Sequence, residues 1–169
     1  MKAKLIIENK EIEIEISEEE YKKLHPSEEK KTGYERVPKN GHYFYEFGKG
    51  DVESDVEDCY DIDDEYYASA NYYSNKTVAE NNARADKLMR QLRRFSVEHR
   101  ERGVNLNDTN TKKYYICYDY ENNELEATFT FVGRVFGIIY FDSEEAVNTA
   151  IDEFRDELIW YFTEYKDSL

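Results

Sequence analysis

The sequence predicts an α+β protein, an antiparallel sheet packed by two long helices with an N-terminal β-hairpin appended, and three patterns carry that expectation. Ile12, Ile14 and Ile16 alternate with Glu11, Glu13 and Glu15, the period of a half-buried strand. Ala85, Leu88, Leu92 and Phe95 recur at 3-4-3 spacing, and Val147, Ile151, Phe154, Leu158, Tyr161 and Tyr165 at 4-3-4-3-4, so each set lines one face of a helix. Aromatic runs at 43–47 (YFYEF) and 114–120 (YYICYDY) supply strands ahead of both helices.

Residues 3–7 and 11–16 form the first hairpin around Glu8-Asn9-Lys10. Ser17, with Glu20 three residues on, is a capping-box signature for a short helix that carries Tyr21 and Leu24 and ends before Pro26. Residues 1–24 thus make an N-terminal clip. From 25 to 41 the chain is polar and holds both prolines, Pro26 and Pro38, with Gly33 and Gly41, which reads as a linker. Residues 42–169 form the main body, and its halves, 42–102 and 112–169, suggest a ββα-type duplication. A shift of 68 residues superposes Tyr72-Tyr73-Ser74-Asn75 on Tyr140-Phe141-Asp142-Ser143, an aromatic strand end before a helix N-cap in both places. On the second helix, predicted over 143–166, Ile159, Trp160 and Phe162 fall off the main stripe. The wider arc implies a second buried contact, with the N-terminal hairpin or with a homodimer partner through this C-terminal helix.

The 169 residues suffice for one domain and an appendage, and 40% hydrophobic with 15% aromatic content provides a core despite the charge. No apolar run reaches the roughly 20 residues that span a bilayer, and acidic residues stand where a signal peptide would be apolar, so the expected location is the cytosol. Cys59 and Cys117 lie apart without ligand spacing, as fits a reducing compartment. The net charge of −15 disfavours direct phosphate binding and favours basic proteins as partners.

The densest chemical signal is 51–65, DVESDVEDCYDIDDE, with nine acidic residues in fifteen and no Lys or Arg from Gly50 through Asn75. Such a run needs a metal, solvent, the basic helix (Arg84, Lys87, Arg90, Arg93, Arg94) or a basic partner to balance it. An EF-hand beginning at Asp51 would need Gly and Glu where the chain has Val56 and Ile62, and no metal is expected. His25, His42 and His99 build no zinc site, no GxxxxGK or GxSxG loop occurs, and no lysine follows an Asp/Glu strand pair as in a nuclease. No cofactor and no enzymatic activity are therefore expected. A row of carboxylates can stand in for nucleic-acid phosphates and exposed tyrosines for stacked bases. The candidate partner-binding residues are Asp51, Glu53, Asp55, Glu57, Asp58, Tyr60, Asp61, Asp63, Asp64, Glu65, Tyr66 and Tyr67.

Five stretches, KAKLIIENKEIEIEI, KKTGYERVPKNGHYFYEF, ANYYSNKTVAE, KYYICYDY and IIYFDSEEAVNTAIDEF, resemble small proteins of phages and mobile elements of Firmicutes and gut bacteria. Proteins of this look are similar to some anti-CRISPR inhibitors. The resemblance implies a small acidic protein in the host bacterial cytosol that binds an effector nuclease such as Cas9, or its guide complex, and blocks DNA binding or cleavage. None of the stretches is a catalytic signature. Two other readings stay open at this point: a phage assembly accessory that self-associates through its aromatic arc, and a protein that sequesters a small nucleotide signal in a basic, aromatic pocket.

Overall fold

The structure, a computed structural model, describes residues 2–7, 10–15, 17 and 31–169, the first two stretches by their backbone. The chain divides into two compact units, Met1–Thr32 and Gly33–Leu169. In the first, β1 (Lys2–Ile7) pairs antiparallel with β2 (Lys10–Glu15), Leu5 opposite Ile12 and Ile7 opposite Lys10. The expectation for this stretch is a hairpin over 3–7 and 11–16. The predicted helix with Tyr21 and Leu24, and residues 25–30 of the predicted linker, lie outside the described residues.

The second unit is α+β, and its two halves follow one order of parts. Strands β3 (His42–Phe47) and β4 (Asp51–Val56) form a hairpin, followed by α1 (Asp61–Ala68) and α2 (Lys76–Glu98). Strands β5 (Lys113–Asp119) and β6 (Glu124–Thr130) form another, followed by α3 (Glu144–Glu153) and α4 (Arg155–Thr163). In each half the segment ahead of the helix adds a single antiparallel bridge to the hairpin, Tyr73 to Phe44 and Phe141 to Tyr114. Two residues later a side-chain cap starts the helix: Asn75 accepts from the Val78 N–H and Ser143 from the Ala146 N–H, both at 3.1 Å. The quartets 72–75 and 140–143 therefore do the same work.

Two expectations need correction. The strands form separate two-stranded sheets instead of one antiparallel sheet. Backbone committed to a helix two residues after each bridge cannot extend a third strand past that point, so each hairpin gains one bridge and no further strand. The long helix over 143–166 is likewise two helices, bent at Phe154 (φ −109, ψ 19), where its ring edge meets Phe95 at 5.7 Å. Hydrogen bonds continue through the bend, Phe154 N–H to the Ala150 carbonyl and Leu158 N–H to the Phe154 carbonyl, each 2.9 Å.

The main core joins Leu88, Leu92 and Phe95 of α2 to Val147, Ala150 and Ile151 of α3, Leu158 of α4 and Phe141. Burying such side chains contributes about 1.5–3 kcal/mol each, which is why the predicted stripes hold. A second cluster packs Tyr73, Val78 and Ala79 against Phe44 and Val52, seating the start of α2 on one face of the β3–β4 hairpin. Part of the wide arc of α4 packs within the second unit. Trp160 is buried beneath the Arg84 guanidinium, 3.9 Å from the ring centre, and Phe162 stacks on Tyr118, which leaves Ile159 exposed.

Residues 33–41, expected as linker, are a strap docked on the second unit. Gly33 has φ +95 and lies so close to Val78 that a Cβ would sit 2.7 Å from a methyl group. Tyr34 meets Tyr73 at 5.1 Å, and the Asn40 N–H donates to the Glu57 carbonyl at 2.8 Å. Its polar composition imitates a linker because its polar groups are spent on partners far along the chain.

Lys113, fully buried at the start of β5, gives its three ammonium protons to the carbonyls of Asp108, Thr111 and Phe131. It fastens the 105–111 loop and the end of β6 to the hairpin. Lys113→Met leaves these acceptors unpaired and is expected to lower stability by about 2–4 kcal/mol in urea unfolding. Lys112→Met, which removes only a cation over the Phe129 ring, is expected to cost about 0.5–1 kcal/mol.

Candidate partner-binding surface

Strand β4 spreads its acids by simple alternation. Asp51, Glu53 and Asp55 are exposed, whereas Val52 and Val56 are half-buried, Val52 against the second cluster. Among the described residues the outer edge of β4 has no strand partner, and carboxylates there discourage pairing with other chains. After Val56 the chain turns through 57–60 into α1, with Asp61, Asp63 and Asp64 in the first helical turn, where the helix dipole favours negative charge.

Two of the predicted site residues point inward. Glu57 is 1% exposed and receives Arg36 through a fork, Nε to Oε2 and NH2 to Oε1, both 2.8 Å. The Tyr72 hydroxyl (2.9 Å) and the Cys59 N–H (3.0 Å) complete its shell. Hydrogen bonding from Arg36 is the main reason its carboxyl is held down to about 2; burial opposes this, and Tyr72 and Cys59 assist. Asp63 is 2% exposed and accepts from the Tyr43 hydroxyl (2.8 Å) and from the N–H groups of Tyr60 (2.9 Å) and Asp58 (3.1 Å). The bond from Tyr60 is the return half of a capping box. These two carboxylates tie down the 57–60 turn, including Cys59 at φ +62, a conformation unfavourable for a residue with a Cβ.

Tyrosines carry the same scaffold. Tyr43 stacks on Tyr72 at 4.1 Å and Tyr45 on Tyr66 at 4.4 Å, so α1 is seated through Tyr66 on the hairpin face opposite α2. Burial, then the bonds to Asp63 and Glu57, push the hydroxyls of Tyr43 and Tyr72 well above the usual range; burial, then the bond to Glu53, pushes Tyr45 up to about 12. Tyr66 is therefore a half-buried anchor and not a free ring.

What faces solvent is Asp51, Glu53 and Asp55 on β4, with Asp58, Tyr60, Asp61, Asp64, Glu65 and Tyr67 on the turn and α1. Tyr60, Asp64 and Tyr67 follow one another at helical spacing, acid between two exposed rings. The basic helix leaves this surface uncompensated: Arg84 pairs with Glu157, Arg90 with Glu46, Arg94 with Glu98 and Lys76 with Glu80. Among the described residues Arg36 is the one cation paired with the segment, through Glu57 and Asp64. It also lies 5.6 Å from the Tyr67 ring centre. Arg36, Tyr43, Tyr45 and Tyr72 are the residues that sequence reading misses. Their partners lie 8 to 28 residues away, and no local pattern marks them.

The outward carboxylates do not converge, and among the described residues no three His, Cys, Asp or Glu side chains gather as a metal site. The surface can offer separated negative charges and two aromatic faces to a complementary basic surface.

Because Glu57 titrates lower in the folded chain than the ordinary 4.5, its contribution is complete above pH 4.5 and disappears as pH falls toward about 2. Glu57→Gln is expected to cost about 2–4 kcal/mol at pH 7. In denaturation series from pH 7 to 2, the gap between the two proteins should close below pH 4.5; a constant gap would show that Glu57 is not held by Arg36.

Comparison with protein families, with curated proteins and with solved structures finds no match to this chain.

Proposed function

We propose that the protein is an inhibitor of the anti-CRISPR type, which binds a bacterial nucleic-acid-handling defence protein, Cas9 first among them, and occupies a basic groove meant for DNA or RNA. The observation that carries this reading is the division of labour in 51–67. Glu57 and Asp63 are buried to fix the turn, and the other carboxylates stand outward on a rigid frame with Tyr60 and Tyr67 beside them. Such a surface loses little conformational freedom on binding, and arginines arranged for phosphates accept carboxylates with charge-assisted hydrogen bonds. In a guide-loaded nuclease, the channel for the heteroduplex and the arginines that read the short flanking motif are basic surfaces of this kind.

Charge reversal tests this reading, provided the buried Asp63 and the Arg36-paired Asp64 are left in place. Asp58, Asp61 and Glu65 changed together to Lys should weaken capture of guide-loaded Cas9 by about 100-fold and restore target cleavage. Glu121, Glu124 and Glu126 changed to Lys alter net charge equally on another exposed stretch and should weaken it by less than about threefold. Wild-type binding should also fall as salt rises from 50 to 500 mM, values chosen to shorten the screening length well below about 10 Å. Equal effects from the two triple variants, or capture indifferent to salt, would sink the proposal.

A further inference from the structure

A basic feature of this acidic chain is a cavity of about 480 Å³ between the C-terminal end of α2 and the loop over 131–140. Arg93 and Arg100 project into it from either side of Val97, at four- and three-residue spacing, and Arg134 enters from the loop beside Phe136 and Ile138. Among the described residues none of these three arginines has an ion pair, and no Asp or Glu lines the cavity, although the chain has 38 acidic residues. A second cavity provides the contrast: Arg84, Lys87 and Arg155 there share the lining with Asp152, Glu153, Asp156 and Glu157, so its cations are outnumbered by carboxylates.

The loop wall is built, not slack. The Tyr140 hydroxyl accepts from the Val135 N–H at 3.1 Å and donates to the Gly133 carbonyl at 3.4 Å, and the Ser96 hydroxyl pins the Tyr140 carbonyl to α2 at 2.7 Å. Held this way, Phe136 is left fully exposed at the rim, where desolvation would favour covering it.

Three unpaired guanidinium forks around an apolar floor select an anion, and the planar fork matches phosphate best. The exposed Phe136 ring adds a stacking face for a flat group. The cavity volume is that of a small-molecule site. We infer that this cavity binds a small phosphorylated ligand with a planar ring, of the nucleotide class, with Arg93, Arg100 and Arg134 on the phosphates and Phe136 on the ring. It is separate from the acidic surface, and neither reading depends on the other.

Calorimetric titration of the full chain with AMP, a cyclic dinucleotide, pyrophosphate and adenosine tests it. At least one of the two ring-bearing phosphates should bind with Kd below about 100 μM, and pyrophosphate and adenosine should each bind at least about tenfold more weakly than it, because each supplies half of the recognition. Arg93→Ala with Arg134→Ala should weaken that ligand by at least about tenfold, and Phe136→Ala by about threefold. All three side chains are exposed, and unchanged circular dichroism will verify folding. Binding of neither AMP nor the cyclic dinucleotide at 1 mM, or binding that survives the double arginine variant, overturns the inference. So does a concentration-dependent dimer broken by Arg134→Glu, because the arginines would then serve a second copy.

Discussion

Mutual repulsion within 51–65 is the constraint around which the first half of the second unit is built. A fifteen-residue stretch with nine carboxylates and no cation of its own crowds like charge into its turn, and neutralising some of it there favours that turn. Arg36 does this from outside the segment, delivered by the strap over 33–41, and its fork on Glu57 fixes the turn that launches α1. Buried ion pairs are weak sources of net stability but costly to break. The pair therefore acts as a positional constraint: it decides which carboxylates are spent inside and which remain outside.

The parts legible in the sequence are those governed by apolar periodicity and by local hydrogen bonds. Leu88, Leu92 and Phe95, and Val147, Ile151 and Leu158, are buried as their spacing requires. Asn75 and Ser143 cap helices because a cap needs partners only three residues away. Illegible were the features set by distant partners. Glu57, Asp63 and Lys113 look like solvated charges until Arg36, Tyr43 and the carbonyls of Asp108 and Phe131 are brought to them. The strap failed for the same reason. The bend at Phe154 has no Pro or Gly to announce it and follows from a ring that packs on another helix. In the candidate surface, charge alternation exposed Asp51, Glu53 and Asp55 correctly, but composition alone could not separate Asp61 from Asp63.

The two halves reach one geometry with different chemistry. The residue before each bridging aromatic is fully buried: Tyr43 ahead of Phe44, and Lys113 ahead of Tyr114. Tyr43 directs a hydroxyl to a carboxylate, whereas Lys113 directs an ammonium to backbone carbonyls. A hairpin, one bridge and a capped helix thus tolerate opposite polar solutions beneath them. The surfaces differ accordingly, carboxylates around α1 and, beside the loop at 131–140, arginines that have no ion pair among the described residues.

Trp160 is the sole tryptophan of the chain, buried in α4 beneath the guanidinium of Arg84 from α2. Its intrinsic emission, excited at wavelengths the sixteen tyrosines do not absorb, therefore reads the α2–α4 contact alone. The stacks of Tyr43 on Tyr72 and of Tyr45 on Tyr66 lie in the other half and contribute to the near-ultraviolet optical activity. One sample followed by both signals would resolve whether the two halves melt as one cooperative block or in sequence, with no label attached.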